Sequence, residues 1–153
     1  MAYTTYTEDF INEMYNKIGI TKPHQLHFQR IANALGIKVF YWKRSSQALF
    51  DGPYVYIFLD ESLSDAELWQ DFCHELAHVL RQNGHQGRMP RTWIEYQENK
   101  ANNFMYHACV PSFLLDEMEP DALTVQNVQQ LFNVEHEFAM KRLTQYLSKK
   151  LMQ

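Results

Sequence analysis

Leu68, Phe72, Leu76, Val79 and Leu80 recur mostly at three- and four-residue spacing, and neither Gly nor Pro interrupts Ser64 to Asn83. That pattern predicts a long helix with one buried face. Ser64 and Glu67 make a Ser-x-x-Glu capping box at its start, and Gly84 is a stop signal. Upstream, Phe10, Ile11, Met14, Tyr15 and Ile18 predict an amphipathic helix closed by Gly19. Pro23 is expected to open a second helix, with Leu26, Ile31, Ala32 and Leu35 as its apolar positions and Gly36 as its cap. The period then changes. Ile37 to Trp42 favours strand, Arg44 to Gln47 reads as a turn, Ala48 to Phe50 as a short strand, and Asp51-Gly52-Pro53 as turn chemistry. Tyr54 to Leu59 is the strongest strand signal in the chain. A small antiparallel sheet directly before the long helix is the expected result. Beyond it, Pro90 and a Thr92-x-x-Glu95 capping box introduce another helix. Thr124 caps a short helix to Phe132, Asn133 supplies a tight turn, and Phe138, Leu143, Tyr146 and Leu147 give the last helix its apolar face.

The 153 residues fit one domain, expected over 1–153, and 46% apolar residues suffice for a core. A formal charge of −4 offers no general basic footprint, so direct nucleic-acid binding over the whole surface is not expected, although a local basic face is compatible with it. Cys73 and Cys109 have no Cys-x-x-Cys spacing and suggest no disulfide framework, which favours a reducing, cytoplasmic setting. Met1 to Tyr15 carries Glu8, Asp9 and Glu13 and lacks an apolar signal-peptide core. No run approaches the ~18 apolar residues of a membrane span.

The long helix contains His74-Glu75-Leu76-Ala77-His78, a His-Glu-x-x-His motif. Residues four apart on a helix lie one above the other, so His74 and His78 can offer imidazole nitrogens to one ion. Zinc suits them. Glu75 is rotated about 100° from His74, where a base acting on a metal-held water belongs. The expected fold is therefore α+β, mostly helical and zincin-like, with the small sheet before the motif helix and a helical C-terminal region. A catalytic zinc site takes three protein ligands and keeps a fourth position open, so a partner is missing.

Cys73 points about 100° away from His74 and is a poor third ligand. The extended motif with a third histidine is excluded, because Arg81 and Gly84 stand where its Gly and His would be. His85 lies about 10 Å beyond His78 along the axis even if the helix continued. Glu95 and Glu98 compete; Glu95 already serves as a cap partner, which favours Glu98. Asn102, four residues on, shares the face of Glu98 and could orient a ligand histidine. Tyr96, Tyr106 and His107 are candidates for an oxyanion donor by type alone, and His24 and His27 read as ordinary surface or packing residues.

These residues together resemble the ImmA/IrrE-type metallopeptidases. The resemblance rests on His74 to His78, then Glu98-x-x-Ala101-Asn102-x-Phe104, Pro111 after an apolar helix end, Val128-Gln-Gln-Leu131-Phe132-Asn133-Val134, and Arg142-Leu143. It covers most of the chain from about Ile31 onward. Two positions depart: Gln82 stands where the family often has a histidine, and Cys109-Val110 where it often has Leu-Leu before the proline. What the resemblance implies is a compact helical zinc endopeptidase that cuts a protein, commonly a phage-type helix-turn-helix repressor, and so derepresses genes of a mobile element or a stress response. An activating protein would be a further partner. The expected roles are zinc on His74, His78 and Glu98, and Glu75 as general base and then acid.

Two other readings stand beside this one, the first of them drawn from the C-terminal helices, whose turn at Asn133 is compatible with a helix-turn-helix. One is a DNA-binding regulator with a structural metal; the other is a toxin–antitoxin component acting by binding alone. The cations there, Lys141, Arg142, Lys149 and Lys150, are few and face Glu135 and Glu137, which weakens the DNA-binding reading.

Overall fold

The computed structural model describes residues 5–81 and 91–152, and of residues 81 and 91–97 only the backbone. The expected stop at Gly84, together with Gln82, His85 and Pro90, lies outside the described residues, as do the side chains of Thr92, Glu95 and Tyr96. In chain order the elements are α1 (Tyr6–Lys17), α2 (Phe28–Leu35), β1 (Ile37–Trp42), β2 (Gln47–Asp51), β3 (Tyr54–Asp60), α3 (Asp65–Arg81), α4 (Arg91–Cys109), α5 (Ser112–Leu115), α6 (Val125–Phe132) and α7 (His136–Leu151). They sort into two units, one made of Met1–His27 with Tyr106–Gln153 and the other of Phe28–Met105.

The Phe28–Met105 unit is built on a three-stranded sheet of order β1-β3-β2. β2 and β3 form the expected hairpin, antiparallel, with Asp51 opposite Tyr54 and Gln47 opposite Phe58. Its two-residue turn needs a positive φ, and Gly52 supplies it at 59°. β1, however, runs parallel to β3, Ile37 opposite Val55 and Trp42 opposite Asp60, so the sheet is mixed rather than antiparallel. The cause lies in residues 43–46, which carry the chain past the end of β3 instead of folding it back on β1. Gln47, expected in the turn, is thereby already in β2. β3, the most β-favouring run, takes the centre and is paired on both sides.

Ile57 and Leu59 on the inner face of β3 are fully buried, and α3 packs on β3 and β2. α3 begins as its sequence dictates: the Ser64 N–H donates to Glu67 Oε1 at 3.1 Å and the Glu67 N–H to Ser64 Oγ at 3.2 Å. Phe72 and Leu76 are completely buried, each worth roughly 1.5–3 kcal/mol of burial, and Phe72 meets Phe28 of α2 with ring centroids 5.6 Å apart. Two anchors one turn apart fix the roll of α3, and the roll decides where His74 and His78 point.

In the other unit, α1 is capped by Thr5 and Glu8, and Tyr15 donates from its hydroxyl to the Ala108 carbonyl at 2.8 Å. Pro23 does not open a long helix. It starts a 3-10 turn, Pro23–Gln25, that stops where Leu26 turns extended (φ −75°, ψ 100°), and α2 begins afresh at Phe28. The Gln25 side chain explains this by accepting from the Thr21 and Lys22 N–H groups at 2.7 and 3.0 Å, closing the turn locally. Thr124 caps α6 and Asn133 ends it in the left-handed conformation at φ 54°, as its residue type allows. Cys73 and Cys109 are both buried and neither is in a disulfide. Among the described residues no helix is long and apolar enough to cross a membrane.

Candidate metal centre

The buried side of α3 positions His74 and His78 one turn apart, their ring centroids 5.1 Å from each other and their planes at 74°. α4 brings Glu98 to both. Its Oε2 lies 3.1 Å from His74 Nε2 and its Oε1 2.9 Å from His78 Nε2. His74, His78 and Glu98 are the one group of three such side chains among the described residues whose donor atoms fall within 4.8 Å of one another. Ligands at ~2.0–2.1 Å from a tetrahedral zinc would sit about 3.3 Å apart, so these donors are already near the separation that a shared ion sets. Without an ion, a carboxylate touching two imidazoles is satisfied only while the rings present N–H groups to it. The two rings are largely covered, at 20% and 13% side-chain exposure, whereas Glu98 is 42% exposed, which leaves the site open on the carboxylate side.

Glu75 sits on the same turn of α3, turned toward the sheet. Its Oε1 accepts from the Ala48 N–H of β2 at 2.9 Å. Burial pushes its carboxyl up to about 7, while the His74 charge and the Ala48 N–H pull it down and Glu98 and Asp71 push it further up. A carboxyl held near neutrality can take and return a proton under ordinary conditions. Because the Ala48 N–H is committed to Glu75, it points off the free side of β2, and strand alternation turns the N–H and C=O of Phe50 the same way. The sheet thus presents an open edge beside the base.

The other sequence candidates fall as follows. Asn102, a turn beyond Glu98, is exposed. Tyr106 is stacked on Phe138 at 4.2 Å with Lys141 Nζ over its ring at 5.1 Å, and His107 is buried, so both have packing roles within their own unit. Of the cations counted toward DNA binding, Arg142 is 1% exposed and donates to the Val110 carbonyl and Ser112 Oγ at 2.9 and 2.8 Å. Lys149 binds Glu8, and Lys150 lies 3.1 Å from Asp116. The Ala48 contact was not foreseeable from motif spacing, because it depends on which strand is at the edge.

The chain is 39% identical over 153 residues to the uncharacterized protein YqaB of Bacillus subtilis strain 168, covering 97% of this chain and 89% of that one. It is 38% identical over 152 residues to the phage-like element PBSX protein XkdA of the same organism, covering 97% and 76%. Its fold matches that of a Mycobacterium tuberculosis transcriptional regulator with a TM-score of 0.67 at 13% identity, over 92% of this chain but only 47% of the regulator. The sequence model of the Peptidase_M78 family, described as the IrrE N-terminal-like domain, matches residues 32–144, a span that contains both histidines, Glu75 and Glu98, and the chain therefore belongs to that family.

Proposed function

We propose that the chain is a zinc-dependent endopeptidase of the cytoplasm that cuts a helix-turn-helix repressor of a mobile element, with an activating protein as a further partner. The observation that carries this reading is the Glu98 carboxylate set between His74 and His78, at 3.1 and 2.9 Å, with Glu75 beside them. Two imidazoles and one carboxylate form the donor set of a catalytic zinc with one position open. When bound, the ion supplies a Lewis acid for a peptide carbonyl and lowers the pKa of water. Glu75, with its raised proton affinity, would accept a proton from the attacking water and pass it to the departing amine. The free edge of β2 can pair with an extended substrate segment through the Ala48 carbonyl and the Phe50 N–H and carbonyl, the Ala48 N–H being held by Glu75. That mode fits a protein substrate better than a small molecule.

The repressor as substrate is supported by the setting of the relatives, one of which is named for a phage-like element. The reading as a DNA-binding regulator with a structural metal has the fold of the M. tuberculosis regulator in its favour. It has against it the engaged state of Arg142, Lys149 and Lys150 and the proton-accepting group beside the candidate ligands. The test is incubation with the repressor encoded beside the gene, with and without a chelator. Cleavage that stops with the chelator and returns with zinc is expected; cleavage indifferent to metal, or retention of duplex DNA without cleavage, would contradict the proposal.

A further inference from the structure

The outer face of the sheet carries a group of aromatic rings for which the metal centre has no use. Strand alternation puts Lys38, Phe40 and Trp42 of β1 and Tyr54, Tyr56 and Phe58 of β3 on one side, opposite the side that Ile37, Ile57 and Leu59 bury. The rings lie against one another, with centroids 4.6 Å apart for Trp42 and Phe58, 5.5 Å for Phe40 and Phe58, and 6.1 Å for Phe40 and Tyr56. The Trp42 indole N–H donates to the Ser45 carbonyl at 3.0 Å, which fixes that ring and uses its only polar atom. Phe40 and Tyr54 remain 45% and 55% exposed. A cation caps each end: Lys38 Nζ lies 5.8 Å from the centre of the Tyr54 ring and Arg44 Cζ 5.8 Å from that of Trp42.

Aromatic residues favour strands wherever they face, so rings on a sheet mean little alone. Here they occupy two adjacent strands, Phe40 and Tyr54 stay exposed, and cations stand over the Tyr54 and Trp42 rings. We propose that this face binds single-stranded nucleic acid, with bases stacking on Phe40, Tyr54 and their neighbours and phosphates meeting Lys38, Lys43 and Arg44. Six residue steps along β1 and its loop carry the chain from Lys38 to Arg44, about 20 Å if extended, and on a sheet of that kind two or three unpaired bases are stacked by neighbouring aromatic side chains. A protein helix would need an apolar groove, whereas a layer of flat rings rimmed by cations matches the flat, anion-linked bases of a single strand. Asp51, Asp60 and Glu61 lie at strand ends and offset the cations, in a chain of formal charge −4. Stacking therefore carries the affinity, and binding should depend only weakly on salt and reject duplex, whose bases cannot reach the rings.

The experiment is fluorescence anisotropy of labelled oligo(dT) and oligo(U), each about a dozen nucleotides long, titrated with the full chain. Saturable binding is expected, with duplex of the same length bound at least about tenfold more weakly, and the ratio of the two single strands tells DNA from RNA. Phe40→Ala combined with Tyr54→Ala should weaken binding by about tenfold or more with metal content unchanged. If the ring variant melts lower, Lys38→Glu with Arg44→Glu, both on exposed side chains, carries the same test. No saturable binding up to about 100 µM, the weak end of non-specific affinity, would overturn the proposal. So would undiminished binding by both variants, or loss of protein-substrate capture in the ring variant where no oligonucleotide binds.

Discussion

Burial brings the Glu75 carboxyl to about 7, with Glu98 and Asp71 adding to the rise and the His74 charge and the Ala48 N–H opposing it. A group so placed is suited to proton transfer, and its loss should be felt in rate rather than in metal. Glu75→Gln is expected to retain one bound zinc by elemental analysis while cleavage falls by about 10²–10⁴-fold; cleavage at the wild-type rate would refute the role. Glu98→Ala should show the complementary effect, because two imidazoles alone hold zinc weakly. At this scale the sequence was informative where chemistry depends on spacing along one helix. His74, Glu75 and His78 follow from a single turn, and Glu98 from the argument that Glu95 was already spent on a cap. Asn102, one turn beyond Glu98, lies exposed, and a shared helix face by itself fixes no side-chain direction.

The element that couples the sheet to the chemistry is β2, the edge strand whose Ala48 N–H reaches Glu75 at 2.9 Å. This N–H faces away from β3, so replacing Ala48 by proline spares the ladder, as proline on a strand edge generally does. Its hydrogen bond favours the charged carboxylate and lowers the Glu75 pKa. Ala48→Pro should therefore move the acidic limb of the kcat/KM profile to higher pH with little change in thermal midpoint; a limb that stays in place would show that the contact does not act on Glu75. The strands themselves were readable from Ile37 to Trp42 and from Tyr54 to Leu59, but their order was not. A four-residue link can reverse a chain onto its neighbour or carry it past the next strand, and local residue types do not distinguish the two. The same gap hid the aromatic face, whose alternation is visible in the sequence but whose side of the sheet is decided by α3.

At the scale of the whole molecule, the Met1–His27 and Tyr106–Gln153 unit holds an ionic network. Burial alone would raise the Glu8 carboxyl, but Lys149, Ser112 and Thr5 bond to it and hold it at about 2, below its ordinary 4.5. Ser112 in turn accepts from Arg142 at 2.8 Å, so α1, α5 and α7 meet in one chain of contacts. A depressed carboxyl stabilises the fold above its unfolded-state pKa and loses that contribution as the pH falls through its folded value. Glu8→Gln, which keeps the helix cap, should cost about 1–2 kcal/mol near pH 7 after screening of a partly solvated pair. The deficit should shrink between pH 4.5 and about 2; a pH-independent deficit in denaturant melts would assign the loss to packing. None of this network was legible beforehand, since Arg142 and Lys149 read as surface cations until helix packing buried one and paired the other. The account nevertheless turns on the smallest cluster in the chain, and anomalous diffraction at the zinc edge from crystals grown with zinc tests it most directly. One peak within about 2.2 Å of His74 Nε2, His78 Nε2 and a Glu98 oxygen is the expected result. A peak elsewhere, or one bound by the histidines with Glu98 turned away, would contradict it.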